Sequence, residues 1–122
     1  MNLKIEYTNP LLTKIEQGSY QNNKWYELRA SKDTKLREGD FATISLGIKA
    51  QIPENYEMQI IAKRNLFKKY GLILTSGIEI IDSSVTEEIT INVYATKDTK
   101  VNFNDRICQF KMCPIQEQIN FI

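Results

Sequence analysis

Apolar and polar residues alternate along most of the chain, with the two-residue period of a strand that has one buried face. Ile44, Leu46 and Ile48 alternate with Thr43, Ser45 and Gly47, and Ile89, Ile91 and Val93 alternate with Thr90, Asn92 and Tyr94. Turn-forming residues punctuate these runs at Arg37-Glu38-Gly39-Asp40, Pro53-Glu54-Asn55, Ser76-Gly77, Lys97-Asp98-Thr99 and from Asn102 to Asp105. The pattern predicts strands over 3–7, 25–30, 41–48, 56–62, 78–81, 87–95 and 106–113. That number suits an all-β sandwich or barrel. One stretch breaks the rhythm. From Arg64 to Gly71, Leu66, Phe67 and Tyr70 stand at helical spacing and a glycine follows in the C-capping position, which predicts one short helix.

The whole chain, 1–122, reads as a single domain. At 42% hydrophobic and 25% charged residues it can bury a core without a metal or a disulfide staple. Sixteen basic against fifteen acidic side chains give a formal charge of +1. No overall field draws it to nucleic acid or to a membrane, although a local basic patch stays open. Histidine is absent, which removes the commonest general base, the Ser-His and Cys-His nucleophile pairs and the usual zinc ligand. Hydrolysis would therefore rest on a carboxylate.

Cys108 and Cys113 are too few for a disulfide framework and read as reduced packing residues. Lys4, Glu6 and Asn9 interrupt the N-terminal apolar pattern, which fits neither a secretory leader nor a membrane span, so a soluble cytoplasmic protein is expected. The tail after Pro114 carries Ile115, Ile119, Phe121 and Ile122 and is expected to dock on something, a neighbouring subunit being one candidate.

Four stretches, in order, resemble the trimeric dUTP pyrophosphatase (dUTPase) family over about 24–114. The most specific runs from Leu36-Arg37-Glu38-Gly39-Asp40 through Ser45-Leu46-Gly47-Ile48 to Ile52-Pro53-Glu54-Asn55-Tyr56-Glu57. Tyr70-Gly71-Leu72 follows the short helix, Ile81-Asp82-Ser83 is similar to the family's hairpin motif, and Asn104-Asp105-Arg106-Ile107-Cys108-Gln109-Phe110 is similar to its "GdRIaQl" passage. The resemblance implies a dUTPase-like jelly-roll or β-clip barrel that assembles as a homotrimer, with sites built from more than one subunit. It also implies hydrolysis of dUTP to dUMP and pyrophosphate, with magnesium on the triphosphate and no cofactor otherwise required.

Carried over position by position, the resemblance makes Asp82 the water-activating carboxylate; its alternative is an aspartate that only caps a turn. Ser76, Ile81 and Val85 become nucleoside-pocket positions, Val85 standing where the family has an aromatic that covers the sugar. Lys63 and Arg64 fall on the family's phosphate-binding "P-R-S-[SG]-L" run, Lys63 in the arginine's place, and Gln109 lies near the phosphates. With Lys68 and Lys69 they form a basic cluster that either holds an anion or a partner's acidic face, or is a solvated helix face. Glu27 stands for the metal-organising aspartate of "A-G-x-D-L", with Trp25 in place of its glycine. Trp25 and Tyr26 are either partner-contacting aromatics or packing residues.

No glycine follows Gly77, so the family's glycine-rich C-terminal arm is expected to be absent. Together with Val85, Lys63 and Trp25, that predicts a protein of dUTPase fold that lacks efficient hydrolysis and acts as a binding or regulatory module. A phage-encoded protein that engages a host protein, or holds dUTP or dUMP, would fit. The alternative is a divergent active dUTP pyrophosphatase using Asp82.

Overall fold

The computed structural model describes residues 1–16 and 25–122. Lys24, the first residue of the opening motif, lies outside them. Among the described residues, eleven strands and one helix follow in the order β1 (Lys4–Tyr7), β2 (Tyr26–Arg29), β3 (Thr34–Leu36), β4 (Phe41–Ser45), β5 (Ile48–Gln51), β6 (Tyr56–Ala62), α1 (Arg64–Lys68), β7 (Leu72–Leu74), β8 (Glu79–Ile81), β9 (Thr90–Ala95), β10 (Thr99–Val101) and β11 (Arg106–Pro114). Every pairing is antiparallel. The sheets are β2-β11-β6-β8, β4-β9-β7, β1-β5 and β10-β3. The fold is all-β and jelly-roll-like with one short helix, as the sequence predicts.

The inward side chains of these strands form one core. Ile44 and Ile91 face each other in the β4/β9 register, Met58 and Ile60 come from β6, and Leu46, Ile48, Leu72 and Ile107 fill the space between the sheets. Each of these is at most 1% exposed, so the alternation in the sequence is the burial pattern itself. Cys108 is buried and Cys113 half-buried, and both thiols are free.

The predicted strand over 41–48 is divided in two. Gly47 sits at φ +69, and a Cβ there would stand 2.8 Å from the Cβ of Ser31, so the chain bends where only glycine fits. Strands β3, β7 and β10 were not predicted; three residues each, they are too short to show an alternation. Of the three apolar residues at helical spacing, Leu66 and Tyr70 are buried and Phe67 is 59% exposed. The tail residues Ile119, Phe121 and Ile122 are exposed, and Ile115 N–H donates to the Asn55 carbonyl at 3.0 Å. No helix among the described residues is long and apolar enough to cross a membrane.

One irregularity positions the site. Along the β11/β2 pairing, Arg106 opposes Arg29 while Cys108 opposes Leu28, a bulge at Ile107. The extra residue turns both Ile107 and Cys108 inward, each fully buried. Arg106 and Gln109, three positions apart, are thereby left on one outer face.

Candidate functional site: a cationic pocket across three strands

Beside this bulge opens a cavity of about 660 Å³ lined by Glu27 and Arg29 of β2, Lys63 to Asn65 at the start of α1, Lys69 and Tyr70 beyond its end, and Asn104, Asp105, Arg106 and Gln109. Glu27 faces Gln109 across the β2/β11 register. The Lys63 N–H donates to the Ile107 carbonyl at 3.0 Å, which fixes the turn from β6 into α1 against β11. Five cationic side chains therefore meet two carboxylates in one open pocket.

Lys63 Nζ donates to Glu27 Oε2 in an ion pair, and Arg106 Nη1 lies 3.5 Å from Glu27 Oε1. Burial alone would raise the Glu27 carboxyl. The hydrogen bond from Lys63 and the charges of Lys63, Arg106 and Arg29 outweigh it, and the pKa is held below the usual carboxylate value. Asp105 accepts a 2.6 Å hydrogen bond from the Tyr70 hydroxyl and a 2.9 Å bond from the Asn102 N–H. Arg29 Nη1 donates to the Asn104 carbonyl at 3.0 Å, and Asn104 itself sits at φ +71 with its amide bonded to Thr13 on both sides. Asn65 Nδ2 donates to the Arg106 carbonyl at 2.8 Å, while its Oδ1 is buried with no partner among the described residues.

Of the positions singled out in the sequence, Glu27, Lys63, Arg64, Lys69 and Gln109 share this lining, and Lys68 does not. Asp82 lies elsewhere, in the exposed turn after β8. It accepts hydrogen bonds from Ser84 Oγ at 2.5 Å and Ser84 N at 2.9 Å, which lower its pKa. Ser76 Oγ donates to Glu79 at 2.9 Å, Ile81 packs at the edge of the core opposite Met58, and Val85 N–H donates to the Asp82 carbonyl at 3.2 Å. Within one chain these four positions stand outside the cationic pocket.

Tyr26 stacks on Phe110 with ring centroids 5.4 Å apart, and Lys111 Nζ lies 5.7 Å from the Trp25 ring centroid. Tyr26 also lines an apolar groove with Leu3, Ile5 and Met112. Sequence reasoning did not single out Arg29, Asn104 or Tyr70 as site residues. Arg29 had a usable signal: two positions after Glu27, it falls on the same face of β2.

A family model for dUTPase matches residues 13–121. A prophage-derived deoxyuridine 5'-triphosphate nucleotidohydrolase of Bacillus subtilis, YosS, is 31% identical over 128 residues, covering 100% of this chain and 87% of that protein. The chain belongs to the dUTPase family. The deoxyuridine 5'-triphosphate nucleotidohydrolase of Finegoldia magna is 31% identical over 111 residues, with 88% and 78% of the two chains covered. Among solved structures, a dUTPase mutant from phage phi11 of Staphylococcus aureus superimposes with a TM-score of 0.83 at 14% identity, over 100% of this chain and 97% of that one.

These relatives correct one expectation. The sequence predicted a dUTPase fold that binds without efficient cleavage, yet the relatives from Bacillus subtilis, Finegoldia magna and Anaplasma marginale are all named as deoxyuridine 5'-triphosphate nucleotidohydrolases. The physical reason is visible in the pocket. Lysine in place of arginine at position 63 keeps the charge, and Arg29 and Arg106 stand close by, so the departures from the family's motifs do not strip this pocket of its cations.

The phi11 dUTPase is described as coordinating a structural Mg(II) ion. In this dUTPase chain no group of three candidate ligands occurs among the described residues, and both pocket carboxylates are already engaged, Glu27 by cations and Asp105 by Tyr70. That donor set offers no all-protein cage.

Proposed function

We propose that this protein is an active dUTP nucleotidohydrolase: magnesium-bound dUTP and water give dUMP and pyrophosphate, a reaction of cytoplasmic nucleotide metabolism. The observation that supports it most is the coincidence of the cationic pocket with the family's phosphate-binding positions, Lys63, Arg64 and Gln109, joined by Lys69 and Arg106. Such a cluster stabilises charge on a polyphosphate leaving group.

Asp82 is the residue assigned to water. It is exposed, its bonds to Ser84 lower its pKa, and both fall on Oδ1, so the other carboxylate oxygen can accept a proton from an attacking water. Because Asp82 stands outside the pocket of its own chain, the proposal places it against the pocket of a neighbouring copy in a homotrimer. Ser76, Ile81 and Val85 of the same hairpin then border the nucleoside. Valine is smaller than an aromatic ring and leaves the sugar less covered.

The test is pyrophosphate release from dUTP and each of the four common dNTPs with Mg²⁺. Release from dUTP that is lost in Asp82→Asn supports the assignment. Release from none of them in the wild type refutes it.

A further inference from the structure

Four of the five pocket cations come from separate places: Arg29 from β2, Lys63 from the end of β6, Lys69 from beyond α1 and Arg106 from the bulge in β11. Their partners differ. Arg29 is spent on the Asn104 carbonyl, and Arg64 and Lys69 have no carboxylate within ion-pair distance among the described residues. Lys63 and Arg106 converge on one group, Glu27, one cation to each carboxylate oxygen. The side chains of the three are between 27% and 57% exposed at the pocket wall, so the pair is open to exchange with a solute. Two oxygens held between an ammonium and a guanidinium are the contacts a phosphate group makes in such a setting.

We propose that Glu27 is the resident anion of this pocket: a positioning residue that holds Lys63 and Arg106 in the arrangement a phosphate takes over, and that a polyphosphate displaces when it binds. This rests on the reading of the pocket as the phosphate site, not on turnover. Glu27 keeps two cations from different elements from repelling each other, and the need to displace it lowers the affinity for an anion. The family resemblance had suggested that Glu27 organises a metal; the geometry gives it cations instead.

Binding of inorganic triphosphate, measured by calorimetry without divalent metal at low ionic strength, tests this. Glu27→Gln keeps the shape and an acceptor for Lys63 but removes the charge, and triphosphate binding is expected to tighten about tenfold. A general electrostatic gain would survive loss of one cation, whereas relief of a specific competitor would not. In a Lys63→Met background the gain is therefore expected to fall below about threefold. Glu27→Asp, which keeps the charge but withdraws it by one methylene, serves as a second variant and should give an intermediate affinity.

Weaker or unchanged binding in Glu27→Gln, or an equal gain with and without Lys63, overturns the inference. Tightening without any dUTP turnover in the wild type would sink the hydrolase reading and leave this one standing. Turnover without tightening would do the reverse.

Discussion

The Tyr70 hydroxyl donates a 2.6 Å hydrogen bond to the carboxylate of Asp105, joining the segment after α1 to the turn before β11 across 35 residues of chain. Tyr70 is 3% exposed. Burial, followed by the bond to Asp105 and its negative charge, drives the phenol pKa well above its ordinary value. On the Asp105 side burial acts to raise the pKa, but the Tyr70 hydroxyl, the Asn102 N–H and the Lys69 charge together lower it. The bond is a tie between the two walls of the pocket.

Tyr70→Phe removes that tie with little change in volume and is expected to cost about 1.5–3 kcal/mol, the range for a hydrogen bond to a charged group. The pH dependence gives the sign. Asp105, with its pKa depressed by folding, contributes stability that is complete above the unfolded carboxyl value and is lost as pH falls through the folded one. Tyr70, with its pKa raised, contributes stability that is complete below the unfolded phenol value and is lost as pH rises above it. Urea titrations across the pH range should therefore show a smaller acid loss in Tyr70→Phe than in the wild type. An unchanged acid limb would show that the tie does not contribute.

Leu66 is the buried anchor of α1, fully inaccessible, while its neighbours Arg64 and Phe67 are exposed. A helix of five residues has little stability of its own and is held by what it buries. Leu66→Ala is expected to destabilise the protein by about 2–5 kcal/mol. Inorganic triphosphate binding should weaken as well, because Arg64 and Lys69 ride on the same segment. Thermal unfolding and calorimetry check the two effects. Loss of stability with full binding would mean that α1 does not position the pocket.

Burial, with a smaller contribution from the charge of Glu79, pushes the Cys108 thiol up to about 12. Cys113 is only partly covered. Thiolate, not thiol, reacts with disulfide reagents. In the native protein at pH 8, labelling followed by mass spectrometry should modify Cys113 and spare Cys108, and both should react in denaturant. Rapid native modification of Cys108 would show that β11 opens readily.

The long strands were legible in the sequence because each buries one face: the alternations at Ile44-Leu46 and Ile91-Val93 are core contacts. The bend at Gly47 was not, since what forbids a side chain there is Ser31, sixteen positions away in sequence and adjacent only in the fold. Half of the cationic pocket was legible, through Lys63, Arg64, Lys69, Gln109 and Glu27. Arg106 was hidden by the bulge at Ile107, which places it beside Gln109 against the simple two-residue period. The pairing of Glu27 with Lys63 was hidden for another reason. Local sequence sets which face a side chain takes, but only strand order brings β6 beside β11 and β11 beside β2.

The proposed activity divides between two residues that one chain holds apart, so steady-state kinetics on dUTP with Mg²⁺ in wild type, Asp82→Asn and Lys63→Met tests it most directly. The wild type should turn over. Asp82→Asn should lower kcat by about a hundredfold or more while a non-hydrolysable dUTP analogue binds as before. Lys63→Met should lower kcat/KM by about tenfold or more and weaken that analogue. A wild-type protein that binds the analogue yet releases no pyrophosphate, or an Asp82→Asn variant as fast as the wild type, would contradict the account.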